Sequence, residues 1–485
     1  MNTRTSRRRF LRDSLVLSAA IGAPLPLLRA ADAPRREGAA IDIGKRRELL
    51  VDDFLIEKLS GVQLALHKPE ARDVVLVCDR PWEGNTSAYY TIFEDAGLFR
   101  MYYRGWHFDE KTKMPAHQEF TCYAESRDGI KWEKPQLGLF EFDGSKQNNI
   151  IWAGPEGCHN FTPFKDGNPA CAADARYKAL ATGSLIVNGK KKTGLHAYKS
   201  ADGVRWSRIS ETPVITNGAF DSQNLAFWDE LRGEYRACWR FFTNGVRAIR
   251  TATSKDFVQW DHEADLTYGD APAEHLYTNA IRAYARAPHI FVGFPTRFQP
   301  KNQQVEPVFM SSRDGVRFRR WADALIPITA PKDRDGNRSN YMTRGLLQLP
   351  DNDRELSVYA TEAYYTGTGS RVRRFVYRMD GFVSARAGAE GGSIVTKPLT
   401  FTGGQLWLNI VSKGRTRVEL QDADGKPLPG FTLDDCTPIT GDFIDQPVVW
   451  KGGMLSSLGA KPVRVHFALA DADLYTFQFQ NPRNP

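Results

Sequence analysis

Three acidic residues stand out because of the sequence around them. Asp221 lies in the segment AFDSQN, Glu274 in EHLYTN and Glu83 in PWEGN, each at the start of a predicted β-strand. Two carboxyl groups can cleave a glycosidic bond, since one protonates the leaving oxygen while the other attacks the sugar or activates water. Asp221 is the first candidate, because Gln223 and its polar neighbours suit sugar hydroxyls. We predict Glu274 as the acid and Glu83 as a third catalytic residue.

A second set of polar residues is predicted to bind the substrate at the same face. It lies at the starts of first strands or the ends of second strands, except for Glu119, which just precedes a third strand. The set is His159, Asn160, His275, Arg338, Arg104, Arg240, Arg297, Glu362 and Glu119. A histidine here could serve as an acid, and an arginine could bind a carboxylate or sulfate bidentately. The alternative for each is a turn residue or a structural ion pair.

A short sequence recurs four times and organises the elements that must position these residues. It reads SRDGIKW at 126–132, SADGVRW at 200–206, SKDFVQW at 254–260 and SRDGVRF at 312–318. Ser and Asp can bond to the backbone of their own turn, Gly tolerates a positive φ, and the aromatic residue packs into a sheet. Each copy follows the third strand of a similar unit, which is typical of a propeller.

A fifth unit lacks this sequence but keeps the order of strands. The fold is therefore predicted to be all-β, a five-bladed β-propeller followed by a C-terminal β-sandwich. The predicted domains are a twin-arginine signal peptide at 1–33, an N-terminal extension bracing the propeller at 34–74, the propeller at 75–387 and the sandwich at 388–485.

The first residues predict export. SRRRFLR at 6–12 is similar to a twin-arginine signal, and ADA at 31–33 suits a signal peptidase. The apolar run between them is too short and too broken by proline to span a bilayer permanently. We expect a periplasmic, cell-surface or secreted protein with no integral membrane span. A basic tail that binds nucleic acid is the alternative for this segment.

Charge and cysteine content restrict the partners. The formal net charge is +8, of which residues 1–33 supply about half, so an exported chain would be mildly basic. That suits an anionic glycan without requiring one, and no motif predicts nucleic-acid binding. The six cysteines match no zinc pattern, and a Cys158–Cys171 bridge is open. No metal and no cofactor are predicted.

The four turns, the five units and the trailing β segment resemble the invertase/levanase and arabinanase group of glycoside hydrolases (families 32 and 43). The resemblance implies a five-bladed propeller with an acidic triad on inner strands, where Asp221, Glu274 and Glu83 stand. The invertase pattern W-x-N-D-P-N-G is absent, and the second unit has His159-Asn160 in place of a carboxylate. The resemblance therefore implies that this chain is a divergent member of that group.

Three functions follow from these patterns. The first is a glycoside hydrolase acting on a poly- or oligosaccharide by carboxylate acid/base catalysis. The second is a polysaccharide lyase on the same fold, in which arginine neutralises a uronate and His or Tyr abstracts a proton. The third is a non-catalytic glycan-binding surface protein.

Overall fold

The computed structural model describes residues 39–154, 156–187, 190–301, 303–326, 340–458 and 461–482. This part of the chain consists of β-strands and loops, with two short 3-10 helices at Ala173–Ala175 and Leu455–Leu458. The predicted all-β class is confirmed. Strands form where apolar residues alternate with polar ones: Val465, Phe467 and Leu469 are buried, and the residues between them are half-buried.

The first five strands of the described chain all pair with strands that come much later in the sequence. They are β1 (Ile41–Gly44), β2 (Glu48–Leu49), β3 (Ile56–Ser60), β4 (Val62–Leu66) and β5 (Glu70–Val77).

Three antiparallel sheets follow, each built from consecutive parts of the chain. Sheet 1 contains β6 (Ala88–Asp95), β7 (Leu98–Gly105), β10 (Phe120–Ser126) and β11 (Ile150–Ala153), with the hairpin β8 (Phe108–Asp109) and β9 (Met114–Pro115) in a connecting loop. Sheet 2 contains β12 (Thr162–Lys165), β13 (Tyr177–Val187), β14 (Lys190–Ser200) and β15 (Ser207–Arg208). Sheet 3 contains β16 (Leu225–Asp229), β17 (Glu234–Thr243), β18 (Val246–Ser254) and β19 (Asp261–Asp265).

Two further sheets complete this region. Sheet 4 contains β21 (Arg282–Tyr284), β22 (Ala287–Gly293), β25 (Met310–Ser312) and β26 (Phe318–Arg320), and beside it lies a small sheet of β20 (His275–Leu276), β23 (Thr296–Gln299) and β24 (Gln304–Pro307). Sheet 5 contains β27 (Met342–Leu347), β28 (Glu355–Glu362) and β29 (Arg371–Arg378), and its fourth strand is β5. A parallel pairing of Thr91 with Arg344 joins sheets 1 and 5 edge to edge.

The core of this region is divided among the sheets. Each pair of successive sheets shares a buried hydrophobic cluster, and sheets 5 and 1 share one too. Arg344 on β27 donates to the carbonyls of Pro163 on β12 (3.1 Å) and Ala226 on β16 (2.9 Å). The first strands of sheets 2, 3 and 5 therefore surround one centre.

Most of the C-terminal strands form a nine-stranded sheet together with β2, β3 and β4. The C-terminal strands are β30 (Val383–Ala387), β31 (Gly392–Thr396), β32 (Leu399–Phe401), β33 (Gln405–Gln421), β34 (Ile439–Pro447), β35 (Arg464–Leu469) and β36 (Ala472–Gln480). Of these, β32 lies outside the nine-stranded sheet. β3 pairs with β31 and β4 with β30, while β1 pairs in parallel with β32. The long strand β33 pairs first with β36 and then with β35, around a separate buried cluster.

Candidate active site

The loop that carries Asp221 is held by buried amides. Asn224 donates to the carbonyls of Phe220 (2.7 Å) and Ser222 (2.9 Å), and Asn160 donates to the same two oxygens (2.6 and 2.5 Å). Asn160 is fully buried, so the structure places this predicted substrate-binding residue in the support of the Asp221 loop.

Gln223, predicted to bond sugar hydroxyls, also points into the protein. Its side chain is buried and donates to the carbonyl of Tyr90 (2.9 Å) and to Oγ1 of Thr91 (3.2 Å) on β6. These bonds fasten the start of sheet 3 to the first strand of sheet 1.

His159 lies between two carboxylates. Its Nδ1 is 2.8 Å from Oε1 of Glu119, and its Nε2 is 2.9 Å from Oδ1 of Asp221. A carboxylate can only accept, so a protonated imidazole here can donate from each ring nitrogen to one of the two carboxylates. Nη1 of Arg104 also lies 3.1 Å from Nδ1 of His159. We call these three residues the Glu119–His159–Asp221 row. Sequence separations of 40 and 62 residues divide its members, and three different sheets supply them.

The contacts within the row raise the pKa of His159 and lower the pKa values of the two carboxyl groups. Burial disfavours the imidazolium, but the hydrogen bonds from His159 to Asp221 and Glu119 outweigh it and raise the pKa of His159. Partial desolvation opposes the charge of Asp221, yet the hydrogen bond and charge of His159, with the charge of Arg240, hold its pKa well below the usual range. The pKa of Glu119 is lowered by the same histidine, against the effect of burial.

Arg104 supports the row from beneath. Its Nη2 donates to the Tyr364 hydroxyl and the Thr86 carbonyl, both at 2.8 Å, and its Nη1 lies 3.4 Å from Oε1 of Glu119. The guanidinium is buried and always charged. It therefore fixes the carboxylate of Glu119 that orients His159.

Aromatic side chains surround the exposed end of the row. The hydroxyl of Tyr277 is 3.2 Å from Oδ2 of Asp221, that of Tyr89 is 3.5 Å from Oδ1, and Nη2 of Arg240 is 3.7 Å from Oδ2. The side chain of Asp221 is 63% exposed. An open carboxylate bordered by aromatic rings and hydroxyls suits a sugar, whose C–H faces stack on rings. Tyr89 and Tyr277 were not among the predicted residues, although Tyr277 lies two positions after His275.

Glu83 lies in a buried ion pair. Its carboxylate accepts from the hydroxyl of Tyr103 (2.5 Å), from Nζ of Lys134 (2.6 Å) and from the backbone N–H of Arg80 (3.1 Å). Within the described ranges no hydrogen bond or ion pair joins it to the Glu119–His159–Asp221 row. The structure accordingly offers Glu83 a structural role, and its catalytic role stays a prediction.

Glu274 is also neutralised. Its carboxylate pairs with Nη1 of Arg297 (3.1 Å) and with Arg320, and Arg297 pairs in turn with Glu306. Among residues that the structure describes, no bond links Glu274 to the row. Its predicted role as the acid too stays a prediction.

The remaining predicted residues are divided. Nδ1 of His275 lies 3.3 Å from Nη1 of Arg247, close to Tyr277. Glu362 is fully buried and pairs with Arg371 (2.9 Å) and Arg373 (2.6 Å), away from the row. Arg338 lies outside the described residues, as do the predicted signal peptide and residues 34–38. Cys158 and Cys171 are both free.

No group of three or more His, Cys, Asp or Glu side chains in the described ranges is arranged to hold a metal ion. In the same ranges no helix is long and apolar enough to cross a membrane.

No family model and no curated protein matches the sequence. Similar solved structures include an endo-arabinase from Bacteroides thetaiotaomicron (10% identity, 64% of this chain and 99% of that chain, TM-score 0.41). A β-fructofuranosidase from Bombyx mori has 10% identity over 86% of this chain and 95% of that chain (TM-score 0.39). A β-1,2-mannobiose phosphorylase from Listeria innocua has 12% identity over 64% of this chain and 97% of that chain (TM-score 0.45). The solved structures to which this chain is similar therefore include members of the group that the sequence resembles, at low identity.

Proposed function

We propose that the protein is a glycoside hydrolase that cleaves a poly- or oligosaccharide at the Glu119–His159–Asp221 row. One observation carries the proposal. At an open surface bordered by aromatic rings, a histidine with a raised pKa touches a carboxylate with a lowered pKa. Neighbouring groups whose proton affinities are pushed apart supply the acid and the base of a reaction.

In this proposal His159 protonates the leaving oxygen and Asp221 acts at the anomeric carbon. The proton on Nε2 passes to the glycosidic oxygen as that bond breaks, and Glu119 stabilises the ring through Nδ1. Asp221 is ionised, so it can attack the sugar or take a proton from water. A bound sugar must first part the 2.9 Å contact between His159 and Asp221.

The architecture that goes with this function is a five-bladed propeller with a C-terminal β-sandwich. Two features support it: the cyclic order in which sheets 1 to 5 share buried clusters, and the contacts of Arg344 with the first strands of sheets 2 and 3. The loops before first strands then converge on one pit. Export by the twin-arginine route, with a periplasmic, cell-surface or secreted location, is part of the proposal and rests on residues 1–33.

A lyase is less well supported because the histidine and the tyrosines that contact Asp221 are poor bases. A lyase must remove a proton next to a uronate, but hydrogen bonds to Asp221 and Glu119 raise the pKa of His159 and so disfavour its unprotonated form. Burial raises the pKa of Tyr89 far above neutrality, and burial together with the charge of Asp221 raises that of Tyr277. Neither hydroxyl is ionised at neutral pH.

The test is the change Asp221→Asn, which keeps the size of the side chain and removes its charge. We expect release of reducing ends from oligosaccharides to fall by about a thousandfold, since positioned acid–base groups contribute 10²–10⁴. Binding of the same oligosaccharides, measured calorimetrically, should persist.

The matched control is Asp434→Asn, because the side chain of Asp434 is 99% exposed and its pairing with Arg417 is a surface contact. Equal activity in the Asp221→Asn variant and its parent would refute the role of Asp221. Binding without turnover in the parent would indicate the glycan-binding alternative, and an unsaturated product would indicate the lyase.

A further inference from the structure

Two arginines beside Asp221 lie over the same pair of aromatic rings. The guanidinium carbons of Arg240 and Arg247 are 4.7 and 5.5 Å from the centre of the Tyr277 ring, and 5.5 and 5.3 Å from that of Phe242. The hairpin of β17 and β18 produces this arrangement, because it pairs Arg247 with Phe242 on the face that also carries Arg240.

Arg247 has no anionic partner in the part of the chain that the structure describes. Its Nη1 donates to Nδ1 of His275 (3.3 Å), and its Nε has no acceptor. Burial and then the charge of Arg247 lower the pKa of His275, so the histidine is a neutral acceptor. The guanidinium also lies 4.6 Å from the ring centre of Phe298. Rings and a neutral imidazole hold this cation without neutralising it.

Arg240 is only weakly neutralised. Its Nε donates to the carbonyl of Ala219 (2.9 Å), its Nη1 has no acceptor among the described residues, and Asp221 lies 3.7 Å from its Nη2. The side chain of Arg240 is 5% exposed. A cation so far removed from water requires an opposite charge nearby.

Two other arginines of this region have carboxylate partners. Arg297 and Arg320 are matched by Glu274 and Glu306. Around the row, by contrast, the cations exceed the anions: Arg104, His159, Arg240 and Arg247 stand against Glu119 and Asp221. With His159 protonated the excess is two positive charges, and Arg247, which contacts the same Tyr277 as Asp221, contributes one of them.

We propose that Arg240 and Arg247 form a subsite for an anionic substituent of the glycan, a uronate carboxylate or a sulfate ester, next to the sugar that Asp221 attacks. The inference rests on the proposed function, whose substrate it narrows to acidic glycans. Guanidinium groups bind both anions through paired N–H donors. Phe242, 50% exposed, offers a ring face on which the same sugar can stack.

The experiment measures binding to the Asp221→Asn variant, in which turnover does not interfere. The probes are oligogalacturonates and oligoglucuronates, their carboxyl-reduced neutral counterparts, and sulfated oligosaccharides, with Kd measured by calorimetry. At least one charged class should bind about tenfold or more tightly than its neutral counterpart, as charge-assisted hydrogen bonds allow. Which class binds distinguishes carboxylate from sulfate.

The added change Arg247→Gln should abolish this preference. Its matched control is Arg250→Gln, because Arg250 lies on the same strand, stacks on Phe241 at 4.0 Å and is already paired with Asp265 and Glu263. Arg250→Gln should keep the preference. If Arg247→Gln is poorly folded by circular dichroism, Arg247→Lys replaces it and should retain only part of the preference.

The outcomes separate the two proposals. A charged-glycan preference that depends on Arg247, in a protein whose parent cleaves none of the probes, supports the subsite and refutes the hydrolase. Cleavage of neutral glycans, with equal Kd for charged and neutral probes, refutes the subsite and supports the hydrolase. A preference that survives Arg247→Gln, or no binding of any charged probe, also overturns the subsite.

Discussion

At the scale of single residues, His159 connects the two carboxylates of the site. Its two hydrogen bonds of 2.8 and 2.9 Å raise its own pKa and lower those of Glu119 and Asp221. The sequence marked His159, Glu119 and Asp221 as candidates, because polar residues before strands of successive units can converge. It could not assign the proton, since the pKa of an imidazole depends on which carboxylates the fold brings to each nitrogen.

Glu83 and Glu274 show the limit of the same reasoning. Each carboxylate stands where the sequence predicts a loop at the pit, but each is paired with a cation from a distant part of the chain, Lys134 and Arg320 respectively. A sequence gives no measure of such pairings. The distinction between a free and a neutralised carboxylate therefore comes from packing.

The raised pKa of His159 predicts the pH dependence of activity. We expect kcat/KM to fall as the pH rises through that pKa, which lies above the ordinary value of about 6.5. The change Glu119→Gln removes one carboxylate, lowers the pKa of His159 and moves the alkaline limb toward lower pH. A pH–rate profile measures the shift.

The control for this profile is Glu110→Gln, an exposed residue outside the row. An alkaline limb that stays in place in Glu119→Gln would show that another group donates the proton.

The free energy of unfolding should depend on pH through the same histidine. A group whose pKa is raised by folding stabilises the native state fully below its unfolded pKa, and this contribution is lost as the pH rises through the folded one.

At the scale of elements, the four recurring turns have the same hydrogen bonds. In the third turn Oγ of Ser254 accepts from the N–H of Phe257 (2.9 Å), and Oδ1 of Asp256 accepts from those of Val258 and Gln259 (both 2.8 Å). The other turns place a glycine where this one has Phe257, and all four residues have positive φ (+68° for Phe257). The sequence predicts these turns because their bonds are local.

At Phe257 the cost of a positive φ is offset by the packing of a buried ring. A side chain in this conformation costs about 1–2 kcal/mol, whereas removing a buried Phe ring costs about 3–5 kcal/mol. Phe257 is fully buried against Phe164 and Tyr235. We therefore expect Phe257→Gly to lower the free energy of unfolding by about 2–3 kcal/mol, measured by urea denaturation.

The control for that change is Gln259→Ala, an exposed position in the same turn, which should alter stability by less than about 0.5 kcal/mol. A Phe257→Gly variant as stable as its parent would mean that the relief of strain equals the loss of packing.

At the scale of the whole molecule, the N-terminal segment closes two sheets. β5 supplies the fourth strand of sheet 5, and β3 and β4 join the C-terminal sheet. Leu76 packs in the cluster between sheets 5 and 1, and Ile41 and Leu55 pack in the C-terminal core. Loss of this segment would expose the edge of β29 and open both cores.

Truncation tests this closure. A chain beginning at Cys78 lacks β1–β5, so we expect it to aggregate or to lose its cooperative thermal transition, measured by calorimetry. A chain beginning at Ala39 keeps all five strands and should unfold at the same temperature as the full chain. Equal transitions in the two truncated chains would show that the N-terminal strands contribute little to the fold.

The sequence by itself determined the all-β class and the four turns, because alternation and turn chemistry act over short distances. It also named all three residues of the Glu119–His159–Asp221 row as candidates. The tertiary structure alone decided which carboxylates pair with His159 and which with Lys or Arg, and that Tyr277 contacts both Asp221 and Arg247. These features arise between sheets, from contacts made across tens to hundreds of residues. Electrostatic interactions depend on separation in space and burial, which no local pattern encodes.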